Sequence, residues 1–316
     1  MIFVKLAIEK RIDPFYFALE KLMLEKLAEF NDDICFLWDV YPAVIIGKHQ
    51  LLEKEVNLKA LKEKEVNVFR RPSGGGAVFS DYGCLKYSFI SKKSKDEMYQ
   101  LFLDKIIDFL KPYLKVSYSG RNDLVYDGYK FSGNAYYQTK LGNVLHGTIL
   151  FDTDMSILST VLNPSEEKLK SKGIKSVRSR VINLKEFIGL SRAEFREAME
   201  DYFAENNYYL TELDEKKIAQ YLEEFNSEEY IYGKNPAYEV VRRKRYPFGE
   251  IEVQLLVKNN IIKDIKIYGD FFEKESLETY QKTIIKQNIN TLNIKNTGTY
   301  IEGMSDNEMK ELIRGR

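Results

Sequence analysis

Three consecutive glycines between an arginine pair and an apolar run are the tightest constraint in this sequence: Phe69-Arg70-Arg71-Pro72-Ser73-Gly74-Gly75-Gly76-Ala77-Val78-Phe79. Glycine reaches backbone conformations closed to other residues and lets a ligand approach the main chain closely. Residues 66–69 read as a strand leading into the loop and residues 77–79 as a strand leaving it. Successive N–H groups in such a turn form an anion-binding concavity, and an adjacent guanidinium grips phosphate through two parallel bonds. The segment is expected to hold a nucleotide phosphate. A tight hairpin also needs glycines, so this stretch alone does not choose.

Composition narrows the class. The chain has 316 residues, enough for one large and one small domain. Its 48 basic side chains balance 48 acidic ones, which argues against a dedicated nucleic-acid binder. No apolar run approaches membrane-spanning length. The start, Met1-Ile2-Phe3-Val4-Lys5, lacks the regions of a signal peptide. With only Cys35 and Cys84 and no paired spacing, a cytoplasmic location with reduced thiols is expected. Two histidines, His49 and His146, leave little material for structural zinc.

Read in order, residues 2–8 form a strand. Asp13-Pro14 caps a helix over 14–30, with proline at its first position. Residues 34–38 and 43–47 are apolar runs joined by Asp39-Val40-Tyr41-Pro42, which predicts a hairpin. Residues 53–65 read as one exposed helix. Leu85, Tyr87 and Phe89 alternate with Lys86 and Ser88, predicting a strand with one covered face. Ser94-Lys95-Asp96-Glu97 and Ser191-Arg192-Ala193-Glu194 are capping boxes, the second for a helix to about residue 207. Asp127-Gly128 between strand-like runs predicts a hairpin with Lys130 just past the turn. Ser132-Gly133-Asn134-Ala135 breaks that strand, and residues 145–151 form another, carrying His146. Short helices are expected at 156–163 and 165–171, and a charged helix over 212–232. Gly233-Lys234-Asn235-Pro236 reads as a linker, dividing the chain into domains 1–235 and 236–316. Strands at 251–257 and 262–268, turned by Asn259-Asn260, and helices at 275–286 and 305–314 complete a small α+β unit.

Four polar clusters lie at strand ends or turns of the larger domain: residues 71–76, Gly120-Arg121-Asn122-Asp123, Lys130 with Ser132-Gly133, and His146-Gly147-Thr148. A lysine beside a phosphate-binding turn neutralises charge developing on an α-phosphate. Asp123 is a candidate magnesium ligand through carboxylate and water. Singly, each has a plain reading as a surface charge, a structural histidine or a turn cap. In this order, with Leu162-Asn163-Pro164 and the basic segment Lys172-Gly173-Ile174-Lys175-Ser176-Val177-Arg178-Ser179-Arg180 after them, they resemble the lipoate–protein ligase family. The resemblance runs through residues 13–184, and the small domain, with Ile267-Tyr268-Gly269-Asp270-Phe271-Phe272, is similar to that family's accessory domain.

The resemblance implies an α/β (α+β), biotin/lipoyl-ligase-like mixed sheet domain related to class II synthetases, with a small α+β C-terminal domain. It implies ATP-dependent activation of lipoate to lipoyl-AMP, with magnesium, and transfer to a lysine of an acceptor domain. The acceptors the family serves are 2-oxo-acid dehydrogenase E2 subunits and glycine-cleavage H proteins. By resemblance Arg71, Ser73, Gly74, Gly75, Gly76, Ala77, Val78 and Phe79 hold or shape the nucleotide loop. Lys130 contacts both ATP and the lipoyl carboxyl end, and Asn122, Asp123 and His146 line the same site. Trp38, Ile46 and Gly47 are candidates for the apolar lipoyl slot. The family usually reads Phe-His-Asp-x-Gly-Asn after the loop, where this chain has Phe79-Ser80-Asp81-Tyr82-Gly83-Cys84. Two alternatives therefore stay open: an acyltransferase of the same fold working through a cysteine, and a lipoate-binding paralogue with altered catalysis.

Overall fold

A computed structural model describes residues 1–6, 13–119, 122–163, 181–232 and 240–315. In chain order its strands begin with β1 (Ile2–Lys5), β2 (Ile34–Trp38), β3 (Ala43–Ile46), β4 (Asn67–Arg70) and β5 (Val78–Ser80). Next come β6 (Cys84–Ser91), β7 (Ser117–Ser119), β8 (Asp123–Tyr126), β9 (Tyr129–Gln138) and β10 (Asn143–Leu150). The last are β11 (Asn206–Tyr209), β12 (Val240–Tyr246), β13 (Gly249–Lys258) and β14 (Ile261–Gly269). Eight form one mixed sheet in the order β11-β1-β2-β6-β10-β9-β8-β7; β4-β3-β5 and β12-β13-β14 form two smaller sheets.

Helices cover both faces of the large sheet. One core joins Leu37, Leu85, Tyr87 and Phe89 to Phe102 and Ile106 of helix Lys95–Leu110 and to Phe195 and Met199 of helix Arg192–Phe203. The other joins Phe36, Trp38, Ile90 and Val144 to Phe17, Leu24 and Leu27 of helix Phe15–Phe30. Strand β6 is consequently buried on both faces, Lys86 and Ser88 included, contrary to the single covered face that alternation predicts. Their polar atoms are buried because they have partners, as described below.

The hairpin predicted from β2 to β3 does not form. β2 is paired by β1 and β6, leaving no edge, and β3 becomes the centre of the small sheet. Asp39, at the exit of β2, is held by the guanidinium groups of Arg192 and Arg196, and Arg196 also donates to the Leu37 carbonyl at 3.2 Å. This buried ion triad carries the chain from one sheet to the next.

Other expectations shift locally. The first helix starts at Phe15, one residue late, with Asp13 Oδ1 accepting from the Phe15 N–H at 3.2 Å. The predicted 53–65 helix is two, Leu52–Glu55 and Leu58–Glu63, split where Val56 bridges Leu162 and Asn57 caps the second. Residues 132–135 do not break β9; a register shift on β8 between Leu124 and Val125 absorbs the irregularity. The 212–232 helix divides into Glu212–Phe225 and Glu228–Tyr232. Both predicted capping boxes and the Asp127-Gly128 turn, with φ of 49° and 78°, are present. The 165–171 helix, the basic 172–180 segment, Gly120-Arg121 and the Gly233–Pro236 linker lie outside the described residues.

The C-terminal sheet has its own core, in which Val253, Leu255 and Ile267 meet Tyr280, Met309 and Ile313. The end of β14 seats on the glycine loop. The Gly75 N–H donates to the Phe271 carbonyl at 3.1 Å, the Gly269 N–H donates to the His49 carbonyl at 2.9 Å, and His49 stacks on Phe271. Glu273 takes His49 Nε2 at 3.1 Å and also pairs with Lys48. Burial alone would raise the Glu273 carboxyl, but the hydrogen bond and charge of His49, with Lys48, outweigh it and hold the group down at about 2.

Two predictions follow the packing. Asp39→Ala leaves two buried guanidinium groups without their carboxylate and should cost about 3–5 kcal/mol in urea denaturation; a loss under about 1 kcal/mol, the scale of a surface pair, contradicts this account. Because the Glu273 carboxyl titrates lower in the folded protein than its ordinary 4.5, its contribution is complete above that value and is lost as the pH falls toward 2. Thermal stability should fall across that window more steeply in the wild type than in Glu273→Gln, and parallel curves would refute the assignment.

Candidate functional site

The glycine loop joins β4 to β5 and is scaffolded by two buried arginines. Arg71 Nη2 donates to the Gly74 and Gly76 carbonyls at 2.7 and 2.8 Å, Nη1 to Ile45 at 3.0 Å, and Nε to Ser73 Oγ at 3.1 Å. Arg70 gathers the carbonyls of Gly47, Lys48, Gln50, Tyr230 and Ile231. Burial pulls both guanidinium groups down to about 10, still protonated at neutral pH. The carbonyls of Gly74 and Gly76 are turned toward Arg71 and the Gly75 N–H is taken by the Phe271 carbonyl, so an anion would meet the remaining N–H groups of the loop. Gly75 has φ of 90°, a conformation that favours glycine. A side chain at Gly47 would meet the Gly75 carbonyl at 2.0 Å, so Gly47 makes room for the loop.

Beneath the loop runs a buried chain of hydrogen bonds. Glu20, on the inner face of the first helix, accepts from His146 Nδ1 at 2.8 Å, from Ser88 Oγ at 2.6 Å and from the Tyr137 hydroxyl at 3.1 Å. A carboxylate at Nδ1 fixes the proton there and leaves Nε2 as an acceptor. Ser73 Oγ lies 2.7 Å from that nitrogen and itself accepts from Arg71. On the other side, Trp38 Nε1 donates to Ser88 Oγ at 3.0 Å. Helix, sheet and loop are thus joined through one imidazole.

The Asp127-Gly128 hairpin delivers Lys130. Its Nζ pairs with Asp123 Oδ1 at 2.7 Å and folds over Gly133, where an added Cβ would lie 2.8 Å from it. Asn122 is tied back to β9 by its amide, which donates to the Asn134 carbonyl at 2.5 Å. Two strands away, Lys86 is fully buried, paired in register with Trp38 on β2 and Thr148 on β10. Its Nζ donates to the Cys84 carbonyl at 2.6 Å and the Asp81 carbonyl at 3.1 Å, and burial pushes its pKa down.

These groups surround one mainly apolar cavity of about 370 Å³. Of the expected residues, Trp38, Arg71, Gly75, Gly76, Ala77, Val78, Phe79, Asn122, Lys130 and His146 line it. Ser73 lies behind His146, Gly74 faces the Phe271 carbonyl, and Asp123 stands behind Lys130. Ile46 points into the small-sheet core, and its neighbour Ile45 takes the place on the wall. Ser132 and Thr148, from the predicted polar clusters, line the cavity too, whereas the sequence reading missed Phe17, Glu20, Lys86, Asn134 and Phe272. For Glu20 there was a signal, a charge on the apolar stripe of Phe17 and Leu24; Lys86 had none beyond its place in a strand.

Magnesium keeps several waters and uses one or two protein carboxylates together with substrate phosphates. Asp123 is paired with Lys130, and among the described residues no cluster of three or more acidic, histidine or cysteine side chains forms a self-sufficient metal site. No helix among them is long and apolar enough to cross a membrane.

Residues 14–204 match the family model of the lipoyl protein ligase A/B catalytic domain, and residues 235–313 match that of the bacterial lipoate protein ligase C-terminus. The lipoate-protein ligase LplJ of Bacillus subtilis is 36% identical over 294 residues, covering 86% of this chain and 88% of its own. A probable lipoate-protein ligase A of Mycoplasma pneumoniae is 34% identical, covering 96% and 95%. Among solved structures, P. falciparum LipL1 in complex with lipoate superposes with a TM-score of 0.79 at 25% identity, covering 100% of this chain and 99% of that one. A bipartite lipoate protein ligase from Thermoplasma acidophilum, reported with its E2 lipoyl domain, gives 0.65 at 25% identity, covering 76% and 98%. With its catalytic and C-terminal units both matched and the cavity built from the residues that carried the resemblance, this chain belongs to the lipoyl protein ligase A/B family.

Proposed function

We propose that the chain is an ATP-dependent lipoate–protein ligase that forms lipoyl-AMP and then acylates a lysine of a lipoyl-acceptor domain. The observation that carries this reading is Lys130, whose ammonium stands over Gly133 in the cavity that Gly75 and Gly76 also line. In the first step a lipoate carboxylate oxygen attacks the α-phosphorus of ATP and pyrophosphate leaves. Negative charge grows between carboxylate and phosphate, where a fixed ammonium and oriented loop N–H groups stabilise it without reorganising. In the second step the acceptor's neutral ε-amine attacks the acyl carbonyl, AMP departs with the bonding pair, and the nitrogen loses a proton. Positioning and electrostatics are sufficient, and no covalent enzyme intermediate is needed.

Magnesium, held through Asp123 and the phosphates, would supply further charge neutralisation. The acceptors that fit the family are E2 subunits and glycine-cleavage H proteins. The division into 1–235 and 236–316 is supported by the two family matches, 14–204 and 235–313, and on this reading the accessory unit contributes Phe272 to the cavity wall. The cysteine-transferase alternative is disfavoured because both thiols are buried and burial raises both, holding them in the unreactive form.

Three measurements test the reading. Incubated with ATP, magnesium, lipoate and a panel of acceptor domains, the wild type should add a lipoyl mass to one acceptor. Lys130→Ala should slow ATP–pyrophosphate exchange by about 10²–10³-fold, and unchanged exchange would remove the lysine from the mechanism. Gly47→Ala, which drives a methyl into the Gly75 carbonyl, should raise the KM for ATP more than that for lipoate; the opposite order would mean that the loop does not hold the nucleotide.

A further inference from the structure

The acyl side of the cavity holds a charged group that the reaction described above does not use. Lys86 sits on its wall, fully buried, with its Nζ 5.9 Å from the centre of the Trp38 ring. An ammonium carries three N–H donors, and the two hydrogen bonds that Lys86 makes among the described residues go to the carbonyls of Cys84 and Asp81. That leaves one donor, on a side chain that lines the cavity. Lys130 marks the opposite end, above Gly133, which Thr148 joins to β10 by a 3.3 Å hydrogen bond from the Gly133 N–H to Thr148 Oγ1. Thr148 is in turn the register partner of Lys86. The backbones of Lys86 and of Gly133, over which the Lys130 ammonium lies, are therefore separated by two strand spacings, about 10 Å, comparable to an extended eight-carbon acid. An acid whose carboxylate meets Lys130 brings the far half of its tail to Lys86.

Resting on the ligase reading, we propose that Lys86 is a specificity-determining residue that selects acids whose tail carries a hydrogen-bond acceptor, such as the dithiolane sulfur of lipoate, over plain alkyl acids. The argument is one of mismatch. Lys86 has no exposed surface, so its third donor is already cut off from water, and a plain alkyl chain filling the slot leaves it unmet, as it is in the free protein. A dithiolane sulfur accepts, if weakly, and is polarizable beside Trp38. Sites that offer a buried polar group discriminate strongly against ligands that cannot answer it.

The test is pyrophosphate exchange with lipoate and with octanoate on the intact protein. The wild type should favour lipoate in kcat/KM by at least about tenfold. Lys86→Met, which keeps the stem's volume and removes the charge, should bring the two acids within about threefold of each other, mainly by raising the KM for lipoate. Lys86→Gln, which keeps a donor, should retain more of the preference. A wild type that uses both acids equally overturns the inference, as does a Lys86→Met variant with the wild-type ratio, or equal losses in both variants. Exchange with neither acid in the wild type overturns the ligase reading and this inference with it, a pattern distinct from the others.

Discussion

Everything at this site depends on two guanidinium groups buried where water cannot reach them. Such a cation is tolerated only if its donors are met, and Arg70 and Arg71 are met almost wholly by backbone carbonyls. The consequence is geometric. A chain whose carbonyls converge on a fixed planar fork cannot flex freely, so three successive glycines acquire one conformation instead of many. The entropy that a glycine-rich loop would otherwise lose on binding is spent during folding. Lysine could not substitute, since three donors on one nitrogen cannot reach the five carbonyls that the planar fork of Arg70 spans.

The same fork links the two halves of the cavity. Arg71 donates to Ser73, Ser73 lies against His146, and His146 is oriented by Glu20, which also anchors the Trp38 side through Ser88. Each member is satisfied, and that is the condition under which a buried polar network rigidifies a core instead of weakening it. Loop and acyl wall therefore share one reference frame, fixed by residues far apart in sequence: 20, 38, 73, 88 and 146.

That distance explains which parts of the molecule were legible beforehand. Local signals survived into the structure. The serine-glutamate capping boxes and the Asp-Gly turn are encoded within four residues, and the glycine loop announces its own geometry. What failed was pairing. Asp39-Val40-Tyr41-Pro42 has the composition of a hairpin, yet β2 has no free edge and Asp39 is claimed by arginines 153 and 157 residues away. Lys86 and Ser88 read as a solvent face because alternation cannot reveal a second helical layer. The additional strands β7, β11 and β12 are polar and lie at sheet edges, where there is little hydrophobic signal to read.

The departures from the family pattern also take on a physical meaning once they are placed. Ser80 and Cys84 are both fully buried, at the end of β5 and the start of β6. They flank the carbonyls of Asp81 and Cys84 that hold the Lys86 ammonium. An imidazole at position 80 and a carboxamide at position 84 are larger and richer in hydrogen-bonding groups. Serine and cysteine leave the turn compact and its carbonyls free to face the lysine. Ser80, Cys84 and Lys86 are then one coordinated arrangement, and it stands at the acyl wall, on the far side of the cavity from Lys130. If the choice of acid rests on Lys86, as proposed, this arrangement bears on that choice and leaves the loop and Lys130 where they are.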